Sequence, residues 1–241
     1  MTEGPLSLAG KRVVVVGGSS GLGFAVAELA QKLGAAVVIA SSTRAKVDAA
    51  VGRLGGAPGD LVDLRQEASI VDFLARLEPF DHLVITGGDS DQRRFASTED
   101  LDLGVAHEAF EARVFGSIAF IKHGRHKIIP GGSITLTSGV LARRPRKGSP
   151  LPTATAGTGE QLVRGFAVDL APLRINGVCP GLTLTESIRT RPPERIAALT
   201  AGLPIPRAAS PAEVALAYIY LMLNTYVTGQ VLPVDGGESL V

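Results

Sequence analysis

Cysteine is almost missing from the 241 residues: Cys179 stands alone. One thiol excludes an intrachain disulfide framework and fits a reducing compartment. Charge of one sign is missing too, since 24 basic residues face 23 acidic ones for a net +1. That balance argues against nucleic acid or an anionic membrane as a bulk electrostatic partner. Apolar runs stay far short of the roughly 18–20 residues of a transmembrane helix. Met1 to Leu8 show no basic-then-apolar pattern, so no signal peptide and a cytoplasmic location are expected. Metal-ligand spacing is absent: His107, His123 and His126 lie near one another without matching Cys, Asp or Glu, so no metal is expected. Aromatics are sparse at 5%, yet 45% hydrophobic residues exclude a disordered chain.

What is present is alternation. Arg12 to Gly17 is a continuous apolar run, as in a strand buried on both faces of a parallel sheet. Helical spacing follows over Phe24–Leu33, closed by Gly34. Further strands are expected at 37–40, 60–63, 82–86, 133–137, 174–179 and 230–234. Helices are expected at 43–53, 67–77, 103–123, 158–170 and from Pro211 to Leu223, the last with Ser210 as N-cap. A basic loop, Arg143 to Pro152, separates the fifth strand from the next helix, and 185–202 reads as irregular to helical. Pro233 places the seventh strand at an edge. No polar linker interrupts the pattern. The expectation is therefore one α/β domain over 1–241, a Rossmann-type, seven-stranded, parallel, doubly wound sheet with helices on both faces.

Gly17-Gly-Ser-Ser-Gly-Leu-Gly23 joins the first strand to the first helix. Glycines there permit positive φ and a close backbone approach, and the helix start offers free N–H groups and a positive dipole end to a pyrophosphate. Without a ligand the same run would be a tight turn. Its spacing resembles the TGxxxGxG of the short-chain dehydrogenase/reductase family, with Gly17 in place of the usual threonine. Four more segments resemble that family: Leu83–Gly88 its LVNNAG, Gly132–Ser138 its serine-bearing strand, Arg174–Gly181 its IRVNxVxPG, and Thr228–Gly237 its TGxxxxVDGG.

The resemblance implies a nicotinamide dinucleotide held by Gly17, Ser19, Ser20, Gly21, Leu22 and Gly23, then by Ser41, Ser42 and Arg44 after the second strand. It further implies Asp63 and Leu64, Thr86, Gly87 and Gly88, and finally Pro180, Gly181, Leu182, Thr183 and Thr185. After the second strand, NAD-preferring members carry an acid for the ribose hydroxyls. Here the run is Ser41-Ser-Thr-Arg44, and hydroxyls with an arginine suit a 2′-phosphate. NADP(H) is expected over NAD(H). Arg44 as a solvated first-turn residue and Asp63 as a loop cap are the plainer alternatives.

Family members reduce carbonyls with Asn, Ser, Tyr and Lys. The serine is matched by Ser138, but the tyrosine and lysine positions fall on Pro152 and Ala156, and the asparagine position on Arg113. The tyrosines, Tyr218, Tyr220 and Tyr226, all lie far downstream. The fold is expected to stand and the standard reaction is not. Ser138 and Arg113 are the candidate catalytic residues, Arg113 for a substrate carboxylate or a developing oxyanion. Arg113 as an ion-pair partner along its helix, and Ser138 as a strand-end hydrogen bonder, are the alternatives.

Arg143, Arg144, Arg146 and Lys147 lie where the family has its substrate loop, or form a solvated surface. Thr153, Thr155 or water is a possible proton relay. Cys179 reads as core. The functional expectation is an NADPH-dependent oxidoreductase acting on a small molecule that needs no tyrosine acid, such as an imine or iminium. A non-redox dinucleotide-binding protein, or a cyclase or isomerase, is the alternative. A homotetramer or homodimer is expected: the resemblance implies pairing through the two long helices over 103–123 and 158–170, and the second presents Leu162, Val163, Phe166 and Ala167, more apolar surface than one sheet face needs.

Overall fold

The computed structural model describes residues 6–88 and 91–241. Met1 to Pro5, on which part of the leader expectation falls, lie outside the described residues. Seven strands form one sheet: β1 (Arg12–Val16), β2 (Ala36–Ser41), β3 (Gly59–Leu61), β4 (Phe80–Ile85), β5 (Ile128–Thr137), β6 (Arg174–Pro180) and β7 (Val231–Val234). Their order is β3-β2-β1-β4-β5-β6-β7, and every pairing is parallel. β7, with Pro233, is an edge strand as its proline requires.

The helices are α1 (Gly21–Lys32), α2 (Arg44–Arg53), α3 (Glu67–Arg76), α4 (Leu103–Phe110), α5 (Gly116–Gly124), α6 (Pro150–Asp169), α7 (Glu186–Arg189), α8 (Pro193–Thr200) and α9 (Pro211–Leu223). They cover both faces, and the alternation of β1 shows how. Val13 and Val15 pack with Phe24, Ala27, Val214 and Tyr218 of α1 and α9. Val14 and Val16 pack with Phe73, Phe120 and Val163 of α3, α5 and α6. A two-residue period thus feeds two cores, which is why the strand reads as an unbroken apolar run. Ser210 and Glu213 form a reciprocal capping box that starts α9.

β5 begins at Ile128 rather than Ser133, running through Pro130, and three helix boundaries move as well. α1 begins at Gly21 rather than Phe24, because glycines serve as its first turn. α6 begins at Pro150 rather than Thr158. Pro150 and Pro152 fall in the first turn, where the N–H groups have no intrahelical partner to lose. The basic loop therefore ends at Ser149. The helix expected over 103–123 is split by a π-helical segment, Glu111–Phe115, between α4 and α5. Such segments cluster at functional sites, and this one carries Arg113. A further difference is one of packing: Val163 and Ala167 belong to the core, with Leu162 and Phe166 packed against it. That face of α6 is spent on the sheet, so the apolar surplus behind the oligomer expectation is not there.

Candidate functional site

The strand order reverses direction between β1 and β4, and the crevice beyond their C-terminal ends is the place where doubly wound sheets bind ligands. The glycine turn fills it closely. Gly17 has φ +82°, and a methyl there would lie 2.4 Å from Gly87 N; a methyl on Gly23 would lie 2.2 Å from Gly17 O. These two glycines are therefore demanded by the fold itself, ligand or none. Thr86 Oγ1 donates to Val16 O, tying the two strand ends together.

Gly21 is different. A methyl there would meet the Thr185 side chain at 3.2 Å rather than backbone, and the Gly21 N–H donates to Glu186 Oε2 at 2.9 Å. A carboxylate thus sits on the first amide of α1, where the helix dipole favours an anion. Arg53, stacked 3.6 Å over the Phe24 ring, lies 3.9 Å from the same carboxylate. The residues fit a pyrophosphate by this test: the position already attracts an anion.

The other expected dinucleotide residues gather around this crevice. Ser20 precedes α1 with no side-chain capping bond. Ser19 Oγ donates to Ser41 Oγ at 3.0 Å, joining the first and second turns. Leu22 packs on the core, and Leu64 abuts both Gly87 and Gly116. Ser42 and Arg44 are exposed, and Arg44 lies 3.7 Å from Asp60 and 3.8 Å from Asp48. Asp60 is itself held by Arg76 at 2.8 Å, so the nearest acid to this turn is neutralised. Asp63 acts as a loop cap: its carboxylate accepts from Arg65 N and from the Arg65 guanidinium. Thr183 Oγ1 donates to Gly181 O, and Thr185 Oγ1 lies 3.2 Å from Ser187 Oγ.

Beside the crevice opens a cavity of about 690 Å³, lined among others by Arg113, Ser138, Pro152, Ala156, Pro180 and Leu182. That volume suits a small-molecule ligand. The run from Pro180 to Glu186 connects the two places, with its first three residues on the cavity and Glu186 on α1. Arg113 lies over the end of β4, where a methyl on Gly88 would be 2.7 Å from its Nε. Pro152 and Ala156 are one turn apart on α6 and face Ser138.

Ser138 is buried, and its hydroxyl donates to Ala156 O (3.1 Å) and Glu160 Oε1 (3.3 Å). Neither Thr153 nor Thr155 lines the cavity, and Thr155 Oγ1 is turned back to Leu151 O and Pro152 O. The threonine relay is thus not supported by the geometry. Nor does a tyrosine line the cavity: Tyr218 is fully buried on α9 against Thr137 Oγ1 at 2.7 Å, and burial pushes its hydroxyl pKa up. Cys179 is core, its thiol pushed up to about 12 by burial and by the neighbouring Glu160. The basic loop is partly tied down. Arg143 bonds Glu160 and Val231 O, and Arg146 pairs with buried Glu238, while Lys147 lines the cavity.

Three features escaped the sequence reading. Glu186 was hidden beside Thr185 in an irregular stretch. Arg191 and Arg195 reach the cavity from that stretch and from α8. Glu160 lies four residues beyond Ala156, the helical spacing that puts Pro152, Ala156 and Glu160 on one face; the signal was present once α6 started early enough.

Among the described residues no group of three His, Cys, Asp or Glu side chains could hold a metal, and no helix is long and apolar enough to cross a membrane.

Residues 16–239 match a family model described as enoyl-(acyl carrier protein) reductase. The chain is 34% identical to the short-chain dehydrogenase/reductase malC of Malbranchea aurantiaca, over 97% of this chain and 96% of that protein. It is also 34% identical to the short-chain dehydrogenase/reductase ucsE of an Acremonium species, over 95% and 96%. Among solved structures, the MalC reductase/Diels-Alderase of Malbranchea aurantiaca superposes with a TM-score of 0.89 at 31% identity, covering 97% of this chain and 98% of that one. A small-chain dehydrogenase in complex with NADPH gives 0.80 at 30% identity, covering 96% and 99%. With its seven-stranded parallel sheet, its glycine turn at the switch point and these relatives over nearly its whole length, the chain belongs to the short-chain dehydrogenase/reductase family of oxidoreductases.

Proposed function

We propose that the protein is an NADP(H)-dependent oxidoreductase whose cavity works without a tyrosine–lysine pair. The observation that carries this is the joined site: an anion-holding start of α1 connected by 180–186 to a cavity bearing Ser138. The pyrophosphate would take the Gly21 N–H that Glu186 now occupies, with Ser19, Ser20 and Leu22 around it and the 2′-phosphate near Ser41, Ser42 and Arg44. Asp63 and Leu64 would border the adenine. Thr86, Gly87, Gly88, Gly181, Thr183 and Thr185 would line the path toward the nicotinamide. When bound, the dinucleotide supplies or accepts hydride. The NADPH-bound relative supports the phosphorylated form.

The chain's own residues do the rest. Pro152 and Ala156 offer no ionisable group beside Ser138, so a substrate that arrives cationic, an iminium ion or an imine protonated in solution, fits better than a ketone. Arg113 positions the substrate through charge, on a carboxylate or a developing anion. Arg146, Lys147, Arg191 and Arg195 line the same cavity, against a single carboxylate there among the described residues, Glu238. Following NADPH consumption across a panel of imines, iminium salts and ketones tests this. Turnover of imines with slower turnover of ketones is expected, because no tyrosine among the described residues stands in the cavity wall to protonate a ketone oxygen directly. Arg113→Ala should reduce turnover more than Ser138→Ala does on an iminium. Fast ketone reduction would contradict the reading.

A second reading has its own support. A relative carries both reductase and Diels-Alderase in its name. A ring-forming role without net redox change would show as new product while the NADPH concentration stays constant.

A further inference from the structure

Behind Ser138 lies a buried carboxylate that the proposed reaction leaves unused. Glu160 stands on α6, one turn beyond Ala156, with its side chain 9% exposed. Three side chains close around it, from the β5–α6 connection and from β6. Ser138, following β5, donates its hydroxyl at 3.3 Å. Arg143, on the segment between β5 and α6, donates from Nε at 3.0 Å. Cys179 of β6 lies against the carboxylate, and Asp235 after β7 acts on both Arg143 and Cys179. The Arg143 guanidinium also reaches Val231 O, which fixes it in place. Glu160 does not line the cavity, whereas Ser138 does. The serine is therefore the one polar group described between the cavity and the acid.

A helix that merely needed to cover the sheet would place an apolar residue here, as it does at Val163 and Ala167. A buried carboxylate is costly unless it is paired and hydrogen-bonded, and this one is both. Its oxygen meets the hydroxyl at the cavity wall rather than a backbone amide. The serine hydroxyl also has Ala156 O within 3.1 Å, so its proton has two acceptors and its oxygen keeps lone pairs toward the cavity.

We propose that Glu160 is the proton reservoir of the site, exchanging a proton with the substrate through Ser138. This rests on the oxidoreductase reading and deepens it. In the direction of substrate oxidation, the bond between hydrogen and the substrate heteroatom, oxygen or nitrogen, breaks and that proton passes to Ser138 Oγ. The proton already on Ser138 passes to Glu160 Oε1. The heteroatom's electron pair forms the double bond to carbon, and the hydride released from that carbon is accepted by an oxidised nicotinamide dinucleotide, the oxidant. In reduction every transfer reverses, and the proton starts on Glu160. Ser138 touches the substrate; Glu160 acts through it as a positioning residue. Arg143 holds the carboxylate in reach of the serine.

The pH dependence of kcat is the test, read on whichever panel imine or ketone the protein reduces fastest with NADPH. Because reduction begins with Glu160 protonated, kcat should fall as pH rises. Glu160→Gln should remove that limb and lower kcat by about 10²-fold, the typical worth of a positioned acid. Glu160→Asp should restore part of both, while a purely structural role would leave the limb in Glu160→Gln. A second readout needs no turnover. In infrared difference spectra of NADPH-loaded wild-type and Glu160→Gln protein, the Glu160 carboxyl band should titrate reversibly, and it should shift in Ser138→Ala, which deletes its hydroxyl donor. Should Glu160→Gln fail to fold, the Glu160→Asp profile and the Ser138→Ala spectrum carry the same information. A limb that survives in Glu160→Gln, or a carboxyl band that neither titrates nor moves in Ser138→Ala, overturns the relay. Failure of wild-type protein to bind NADPH in a fluorescence titration would instead strike the oxidoreductase reading beneath it.

Discussion

His82 stands on β4 with Nδ1 2.9 Å from Ser133 Oγ of β5. Burial draws its pKa from 6.5 down to about 4; Asp81 opposes this, and Arg174 and Lys11 add to it. The unfolded chain therefore takes up a proton here below about pH 6.5, and the folded chain only below about pH 4. Between those values the unfolded state binds more protons, so stability falls as pH falls. Linkage makes the loss about 2 kcal/mol between about pH 7 and about pH 5. Urea unfolding at the two pH values should show this loss in wild-type protein and a much smaller one in His82→Gln; equal losses would assign the effect elsewhere. At the same scale, Ser138, Pro152 and Ala156 were singled out from sequence by motif position, and the structure brings them together along one cavity, although Pro152 and Ala156 were expected outside the helix that carries them. Glu160 was not singled out, because an acid inside a helix reads as a solvated face until burial is known.

Among the elements, those with clean periodicity were predicted to within a residue or two, as β1, α2 and α9 show. Misplaced starts share one cause. Proline and glycine read as breakers, whereas Pro150, Pro152 and Gly21 serve first turns, and Pro130 lies inside β5. The π segment was invisible because a one-residue insertion barely disturbs helical spacing over a few turns. The short helix α7 matters most for function. It holds the Glu186 carboxylate on the Gly21 amide, which a pyrophosphate would have to displace. Such a charge at a helix start is worth roughly 0.3–1 kcal/mol. Glu186→Gln should accordingly tighten NADPH binding by about threefold, since each 1.4 kcal/mol is tenfold. An unchanged or weaker Kd would show that the carboxylate does not compete.

For the whole molecule, the doubly wound architecture followed from alternation alone, and the sheet order puts the crevice beside the glycine turn without further assumptions. The oligomer was expected through the helices over 103–123 and 158–170, and the α6 face offered in support turns out to be core. Other apolar side chains remain outside: Phe115 is 55% exposed in the π segment and Val168 is 82% exposed on α6. An association through these helices is still the expectation, now on different residues. Sedimentation at micromolar concentration should show a species larger than the 24.9 kDa chain, and Phe115→Asp with Val168→Asp should reduce it to that mass. A wild-type protein that sediments only as the single chain would remove this expectation.

Binding of the dinucleotide underlies everything said of the site, and a fluorescence titration of the protein with NADPH and with NADH tests it without knowledge of the substrate. Ser41, Ser42 and Arg44, with Asp60 neutralised by Arg76, predict NADPH binding tighter by about tenfold or more, an advantage of about 1.4 kcal/mol that Arg44→Ala should largely abolish. Binding of NADH as tight as that of NADPH, an unchanged preference in Arg44→Ala, or no binding of either would contradict the account.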